Sequence, residues 1–142
     1  MSLTEAQFES LKLAAMDVSG NAWCPYSDFR VGAALLAADG RMFCGCNIEN
    51  ASYGLTICAE RNAVAEAVAA GCREFLTLLI YTPTAQPTAP CGACRQVVAE
   101  FSPDLEVVSV CDGSDVLRAS IRQLLPHSFG PQSLRDNSDF SD

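Results

Sequence analysis

The sequence predicts an α/β protein of three-layer α/β/α type, in which helices cover both faces of a central mixed β-sheet. Two observations indicate this class: a hairpin signal in the first third of the chain, and an alternation of helical and strand-like segments after it. With 142 residues, 49% of them hydrophobic, the chain has enough apolar material for one core. We therefore expect a single domain over residues 1–142.

The first part of the chain should form a helix followed by the hairpin. Apolar residues recur at three- and four-residue spacing over about 4–19, which indicates an amphipathic helix that ends at Gly20. Two strand-like runs follow, at 29–37 and at 41–48. Asp39-Gly40 between them is typical of a tight hairpin turn.

Helices and strands should then alternate. Thr56 can cap a helix that stops at Gly71. An apolar run at 75–81 is typical of a buried strand. Residues 82–89 contain two prolines, which is typical of a loop.

The last part of the chain repeats this order and then becomes polar. Pro90 suits the first turn of a helix that runs to about Phe101. A strand over 105–111 and a helix over 116–125 should follow. We expect the polar residues 131–142 to form a partly disordered tail.

Composition and charge exclude several classes of protein. No apolar run reaches membrane-spanning length, and the N-terminus lacks a signal-peptide pattern, so we expect a cytoplasmic protein without a membrane partner. Its eight cysteines are then better interpreted as thiols or ligands than as disulfides. The formal net charge is −8, and no cluster of Lys or Arg is present, which excludes a nucleic acid polymer as substrate.

Two short cysteine motifs carry the functional prediction. Cys58-Ala59-Glu60 and Cys91-x-x-Cys94 each stand where a helix should begin. Three thiolates on Zn²⁺ with a fourth, open position are the arrangement of catalytic zinc sites. Glu60 would face that position as proton carrier and not as ligand, which matches the signature of zinc-dependent deaminases.

The spacing of these residues suits the metal. A helix N-terminus favours a thiolate over a thiol, and residues three apart on a helix can direct both side chains to one ion. Three thiolates on Zn²⁺ leave a formal charge of −1, and Arg61 is the candidate to offset it.

Two alternatives remain at this point. A redox pair at Cys91-x-x-Cys94 would leave Cys58-Ala59-Glu60 unexplained. A structural zinc site would need a fourth ligand. The candidates for it are Cys24, Cys44, Cys46, Cys72, Cys111 and His127.

Further motifs extend almost the whole length of the chain. They are Cys24-Pro25-Tyr26-Ser27, Phe29-Arg30-Val31-Gly32-Ala33-Ala34, Gly45-Cys46-Asn47-Ile48-Glu49-Asn50, Cys58-Ala59-Glu60-Arg61, Pro90-Cys91-Gly92-Ala93-Cys94-Arg95-Gln96 and Leu124-Leu125-Pro126-His127-Ser128-Phe129-Gly130. In these stretches the chain resembles the small, homotetrameric, zinc-dependent cytidine deaminases of pyrimidine salvage. One departure is Thr88-Ala89, where many members of that family have a serine directly before the proline.

The resemblance implies a role for each motif residue. Glu60 corresponds to the proton shuttle, Cys58, Cys91 and Cys94 to the zinc ligands, and Arg61 to an arginine that hydrogen-bonds ligand thiolates. The implied substrate contacts are Phe29 on the pyrimidine, Asn47 and Glu49 on the ribose 3′-hydroxyl, Ala51 and Tyr53 on the ribose 5′ side from a neighbouring subunit, Ala59, and Phe129 in the pocket of another subunit. From the residues alone, Asn47 and Glu49 would be a solvated strand end, and Phe29 could equally be a core residue.

The implied reaction is the hydrolytic deamination of free cytidine and 2′-deoxycytidine to the uracil nucleosides and ammonia by a homotetramer with shared active sites. A related deaminase of another free cytosine compound, such as an aminoacylnucleoside antibiotic, is the nearest alternative. A zinc-binding interaction module without activity is a second alternative, and it would need the closed metal site.

Overall fold

A computed structural model describes residues 3–135 and contains one five-stranded mixed sheet with the strand order β2-β1-β3-β4-β5. Strands β3 and β4 are parallel, and the other neighbouring pairs are antiparallel. The predicted α/β class with a mixed sheet is confirmed. The strands are β1 (Gly32–Ala37), β2 (Met42–Cys46), β3 (Phe75–Tyr81), β4 (Glu106–Val110) and β5 (Leu117–Ser120).

Helices lie on both faces of this sheet. They are α1 (Glu5–Ser19), α2 (Ala59–Ala69), α3 (Gly92–Phe101), α4 (Ile121–Leu124) and α5 (Pro131–Arg135), with a 3₁₀ turn at Tyr53–Leu55. Helix α1 packs on one face, and helices α2 and α3 pack on the other. None of the helices described in residues 3–135 has both the length and the apolar character that a membrane span requires.

The two layers of the core follow from the alternation of side chains along a strand. In β1, Ala33 and Leu35 join the cluster that α2 and α3 cover, whereas Ala34 and Leu36 join the cluster under α1. All residues of β1 are buried, because the strand has neighbours on both edges and helices on both faces.

Gly45 in β2 allows the strand to lie directly against the start of α2. A Cβ atom at this position would lie 2.4 Å from the carbonyl oxygen of Ala59 and 2.5 Å from the amide nitrogen of Ala63. Both are backbone atoms of α2, so they cannot move aside without displacing the helix. The glycine therefore sets how closely the sheet approaches the helical turn that carries Glu60.

The structure contains the predicted hairpin and the predicted ends of two helices. Gly40, with a φ of 89°, turns the chain from β1 into β2. Thr4 caps α1 through a reciprocal capping box with Gln7. Helix α2 ends before Gly71, whose φ of 88° is the left-handed conformation common after helix C-termini.

Three predicted boundaries near the cysteine motifs were wrong. Thr56 does not cap α2, because Cys58 occupies the N-cap position. Pro90 lies outside α3, whose N-cap is Cys91. Phe29 precedes β1, which begins only at Gly32.

The helix predicted over residues 116–125 was also wrong in its first half. Residues Leu117–Ser120 form strand β5, since they pair with β4 in a register that places Ser120 opposite Glu106. Ser120 then caps the short helix α4. Of the expected polar tail, residues 131–135 form α5, and residues 136–142 lie outside the described part of the chain.

Candidate active site

The three predicted zinc ligands lie together although they come from two separate helix starts. The Sγ atoms of Cys58, Cys91 and Cys94 are all within 4.8 Å of one another. Cys91 Sγ is 3.7 Å from Cys58 Sγ and 3.5 Å from Cys94 Sγ. Tetrahedral Zn²⁺ with Zn–S bonds of ~2.3 Å would hold its sulfur atoms about 3.8 Å apart. The donor set and its spacing therefore fit a zinc ion.

The positions of these cysteines on their helices favour thiolates. Cys58 and Cys91 are the N-cap residues of α2 and α3, and neither side chain caps its own helix by a hydrogen bond. Both sulfur atoms therefore remain available to a metal. The unpaired N–H groups and the positive dipole end of each helix stabilise negative charge at this point.

Hydrogen bonding within the cluster separates the pKa values of two of the thiols. The pKa of Cys58 falls to about 5, chiefly through a hydrogen bond with Cys94 that outweighs partial burial, and then through Arg61. The same hydrogen bond, together with burial, raises the pKa of Cys94. Arg61 Nη2 lies 3.6 Å from Cys58 Sγ, and Arg61 Nε is buried with no hydrogen-bond partner among the described residues. This guanidinium is the positive charge beside the cluster.

Glu60 is a buried carboxyl group beside the sulfur atoms. Its side chain is only 5% exposed, and its Oε2 atom lies 3.6 Å from Cys94 Sγ. Burial raises the pKa of Glu60 above its usual range. A carboxyl group with a raised pKa next to a metal site can accept and return protons near neutral pH.

A cavity of about 290 Å³ opens onto this group. Its wall brings together Cys58, Glu60 and Cys91 with four of the residues predicted to contact substrate, while Cys94 and Arg61 lie outside the lining. The lining residues are Ser27, Phe29, Val31, Asn47, Glu49, Thr56, Cys58, Ala59, Glu60, Thr88, Ala89 and Cys91.

Asn47 and Glu49 are not a solvated strand end, because both hold the loop before β1. The Asn47 side chain accepts from the amide of Val31 at 2.9 Å and donates to the carbonyl of Phe29 at 2.7 Å. Glu49 accepts from the backbone amides of Tyr26 and Ser27 and from the Ser27 hydroxyl, and these hydrogen bonds lower its pKa, that from the hydroxyl most. The same two side chains therefore shape the cavity wall that carries Phe29.

Three predicted substrate contacts do not line the cavity of the single chain. Ala51, Tyr53 and Phe129 are all exposed, Tyr53 by 75% and Phe129 by 62%. Tyr53 packs edge-on against Tyr26, at a centroid distance of 5.7 Å. The Gln96 side chain donates to the Phe129 carbonyl at 2.8 Å, which fixes the backbone of that segment.

Five residues of the lining were absent from the predicted site: Ser27, Val31, Thr56, Thr88 and Ala89. Thr88 and Ala89 stand just before Pro90-Cys91, so their closeness to a predicted ligand was the available signal. Thr56 stands two residues before Cys58 and offered the same signal. Ser27 and Val31 stand in motifs that resemble the family, but they were given no role in the predicted site.

The cluster has three members among residues 3–135, and none of the proposed fourth ligands joins it. All eight cysteines lie within that range and are free thiols. The donor set fits a zinc site with three protein ligands, and the contact of Cys58 with Cys91 does not fit an isolated redox pair.

Comparison with known proteins gives a consistent result. Residues 6–111 match the family described as the cytidine and deoxycytidylate deaminase zinc-binding region. A cytidine deaminase of Sporosarcina psychrophila is 46% identical over 123 residues, which cover 80% of this chain and 84% of the relative. A probable cytidine deaminase of Dictyostelium discoideum is 42% identical over 133 residues, covering 93% of this chain and 90% of the relative.

The fold is similar to solved structures of the same kind. The crystal structure of a cytidine deaminase from Burkholderia pseudomallei superposes with a TM-score of 0.82 at 50% sequence identity, covering 85% of this chain and 98% of that chain. A cytidine deaminase from Mycobacterium tuberculosis superposes with a TM-score of 0.76 at 38% identity, covering 87% and 97% of the two chains.

Proposed function

The chain belongs to the cytidine and deoxycytidylate deaminase family of zinc-dependent hydrolases, and from that membership we propose that it deaminates free cytidine and 2′-deoxycytidine. Each nucleoside would react with one water molecule to give uridine or 2′-deoxyuridine and one molecule of ammonia. Such a reaction recovers pyrimidine nucleosides, which is a salvage role. We place the protein in the cytoplasm in this proposal, because the metal site needs free thiols and the cytoplasm keeps thiols reduced.

One observation carries this proposal: a buried carboxyl group and two of the three clustered thiols share the wall of one cavity of about 290 Å³. Glu60, Cys58 and Cys91 line it, and Cys94 Sγ lies 3.6 Å from Glu60 Oε2. Nothing in a purely structural zinc site requires a buried carboxyl group at the edge of an open cavity.

The residues divide the chemistry between them. When bound by Cys58, Cys91 and Cys94, zinc would supply the Lewis acidity that activates a water molecule at neutral pH. Glu60 takes a proton from the attacking water and delivers it to the pyrimidine N3. It then carries the remaining proton of that water, now on the C4 hydroxyl, to the amine as the C4–N bond breaks, so it acts as general base and general acid.

The remaining lining residues would bind and orient the nucleoside. Phe29 would pack on the pyrimidine ring, and Asn47 with Glu49 would hold the ribose 3′-hydroxyl. Ala59, the first residue of α2, has a backbone N–H at the helix start that can donate to a base oxygen. A carboxylate and an amide suit a simple ribose, which favours nucleosides over aminoacylnucleoside antibiotics.

The direct test is zinc analysis of the purified protein together with an ammonia-release assay. We expect about one zinc per chain, as an open three-cysteine site requires, and release of ammonia from cytidine and deoxycytidine but not from cytosine or the monophosphates. A zinc-containing protein that releases no ammonia from either nucleoside would contradict the proposed reaction. Faster release from a monophosphate would move the assignment to a nucleotide substrate.

Arg61 should support the metal site through its charge. Arg61→Ala removes the guanidinium that lies 3.6 Å from Cys58 Sγ, so the thiolates would hold zinc less tightly. We expect a loss of about 10–100-fold in zinc affinity, the usual effect of removing a group that supports a ligand, measured by competition with a chelator. Arg61→Lys, which keeps the positive charge, should lose less zinc affinity than Arg61→Ala. Equal zinc retention in Arg61→Ala and the wild-type protein would remove Arg61 from this role.

We further propose a homotetramer in which neighbouring chains complete each active site. Large apolar side chains are exposed near the cavity, on the same segments that line it. A surface of this kind is typical of an obligate interface. These side chains are Trp23, Tyr26, Phe29, Ile48, Tyr53, Leu55 and Ile57. Phe129, which follows α4, is exposed as well.

Mixing a binding-impaired variant with a catalytically inactive one tests the shared site. Phe129→Ala should weaken nucleoside binding, and Glu60→Gln should abolish proton transfer. After subunit exchange, a site with Glu60 from one chain and Phe129 from the other would be complete, so activity should rise above that of either variant. The double variant Phe129→Ala/Glu60→Gln mixed with Phe129→Ala is the control. No gain despite demonstrated exchange, or a fully active monomer by light scattering, would reject the shared site.

A further inference from the structure

Three threonine hydroxyls form a hydrogen-bonded chain that leads from the protein interior to the active-site cavity. Thr82 is completely buried, and its Oγ1 atom lies 2.7 Å from Thr84 Oγ1 and 3.1 Å from Thr88 Oγ1. Thr84 Oγ1 in turn lies 2.6 Å from the carbonyl oxygen of Gln86. Of these residues, Thr88 lines the cavity.

The carbonyl group at one end of this series of hydroxyl groups fixes the direction of every hydrogen bond in it. The Gln86 carbonyl can only accept, so Thr84 must donate its single proton to it. Thr84 then accepts from Thr82, because no other proton is available between the two oxygen atoms. Thr82 has now used its proton, so Thr88 must donate to Thr82.

This order leaves Thr88, a residue of the cavity lining, with a hydroxyl oxygen that can still accept a hydrogen bond. A hydroxyl group has one proton and two lone pairs, and the Thr88 proton points inward to Thr82. Among residues 3–135, no donor is directed at the Thr88 lone pairs. The neighbouring position, Ala89, has no polar side chain, so Thr88 is the hydroxyl-bearing residue of the lining segment that ends at Cys91.

We propose that Thr88 is a specificity residue that accepts a hydrogen bond from the 4-amino group of the pyrimidine, an inference that rests on the proposed deaminase function. The amino group of cytidine donates, so it matches a fixed acceptor. The product carries a carbonyl oxygen at the same position, and two acceptors facing each other repel. The hydroxyl chain would therefore favour the substrate over the product and assist product release.

The test compares the binding of two nucleosides to chains that cannot turn over the substrate. In the Glu60→Gln background, the dissociation constants of cytidine and uridine are measured by calorimetry with and without Thr88→Val. We expect cytidine to bind about tenfold more weakly after the substitution, the usual effect of losing one hydrogen bond. Uridine should bind equally well or more tightly. Thr88→Ser, which keeps the hydroxyl, should restore the ratio of the two constants.

Thr82→Val tests the directional argument separately. Thr82 does not line the cavity, but its loss frees the Thr88 proton to point outward, so this variant should also discriminate less between the two nucleosides. An unchanged ratio of the two constants in Thr88→Val, including an equal loss of both affinities, would overturn the role of Thr88. Absence of ammonia release by the wild-type protein would overturn the proposed function instead, and failure to bind cytidine would overturn both.

Discussion

Replacing Glu60 by glutamine is expected to leave a folded, zinc-loaded protein that has lost at least about 10²–10⁴-fold in kcat, the contribution of a positioned general acid and base. The amide has almost the shape of the carboxyl group but cannot accept and return a proton. Because Glu60 is buried and lies beside the sulfur atoms rather than among the ligands, zinc content should be unchanged.

Glu66→Gln is the matched control for this experiment. Glu66 is on the same helix but exposed, and its carboxylate accepts a hydrogen bond from the Cys44 amide, which glutamine can also accept. Its kcat should stay near that of the wild-type protein. Zinc analysis and steady-state kinetics on cytidine measure both variants. A Glu60→Gln protein with near wild-type kcat would show that another group transfers the protons.

Replacing Cys94 by alanine should remove zinc and activity together. Cys94 is the buried member of the cluster, and its sulfur atom is 3.5 Å from Cys91 Sγ. Two thiolates cannot hold the ion as tightly as three, so we expect zinc content to fall from about one per chain to near zero. Activity should fall by at least about 10²-fold, since the metal provides the Lewis acid.

Cys44→Ala is the control, because Cys44 is a half-buried cysteine of β2 that lies outside the cluster. It should keep its zinc. Metal analysis after gel filtration and the ammonia-release assay distinguish the two variants. Full zinc content in Cys94→Ala, or loss of zinc in Cys44→Ala, would show that the metal is held elsewhere.

The parts of the fold that could be predicted are those specified by local sequence. The spacing of apolar residues in α1 and the Asp39-Gly40 turn are properties of neighbouring residues, and both predictions agree with the structure. Strand β5 is different. Leu117–Ser120 is extended because β4 offers an unpaired edge, and pairing between distant segments is not visible in a local pattern.

The candidate site divides in the same way. Short motifs at helix starts contain the metal-binding and proton-carrying residues, so these residues could be predicted from the sequence. They are Cys58, Glu60, Cys91 and Cys94. The structural task of Asn47 depends on contacts with a loop 16 and 18 residues away, which no spacing rule identifies. Thr88 likewise gains its acceptor character only from the hydroxyl groups behind it.

The positions of Cys58 and Cys91 at two helix starts also bear on how the chain keeps its fold. They are 33 residues apart, and a shared zinc ion would join them as a cross-link around the loop that contains α2 and β3. Holding the ion in the unfolded chain would require closing this loop, which costs conformational entropy. The ion therefore binds the folded chain preferentially and stabilises it, in addition to its part in the reaction. Chelation should therefore lower the melting temperature of the protein. The availability of zinc would then also decide how long the protein stays folded.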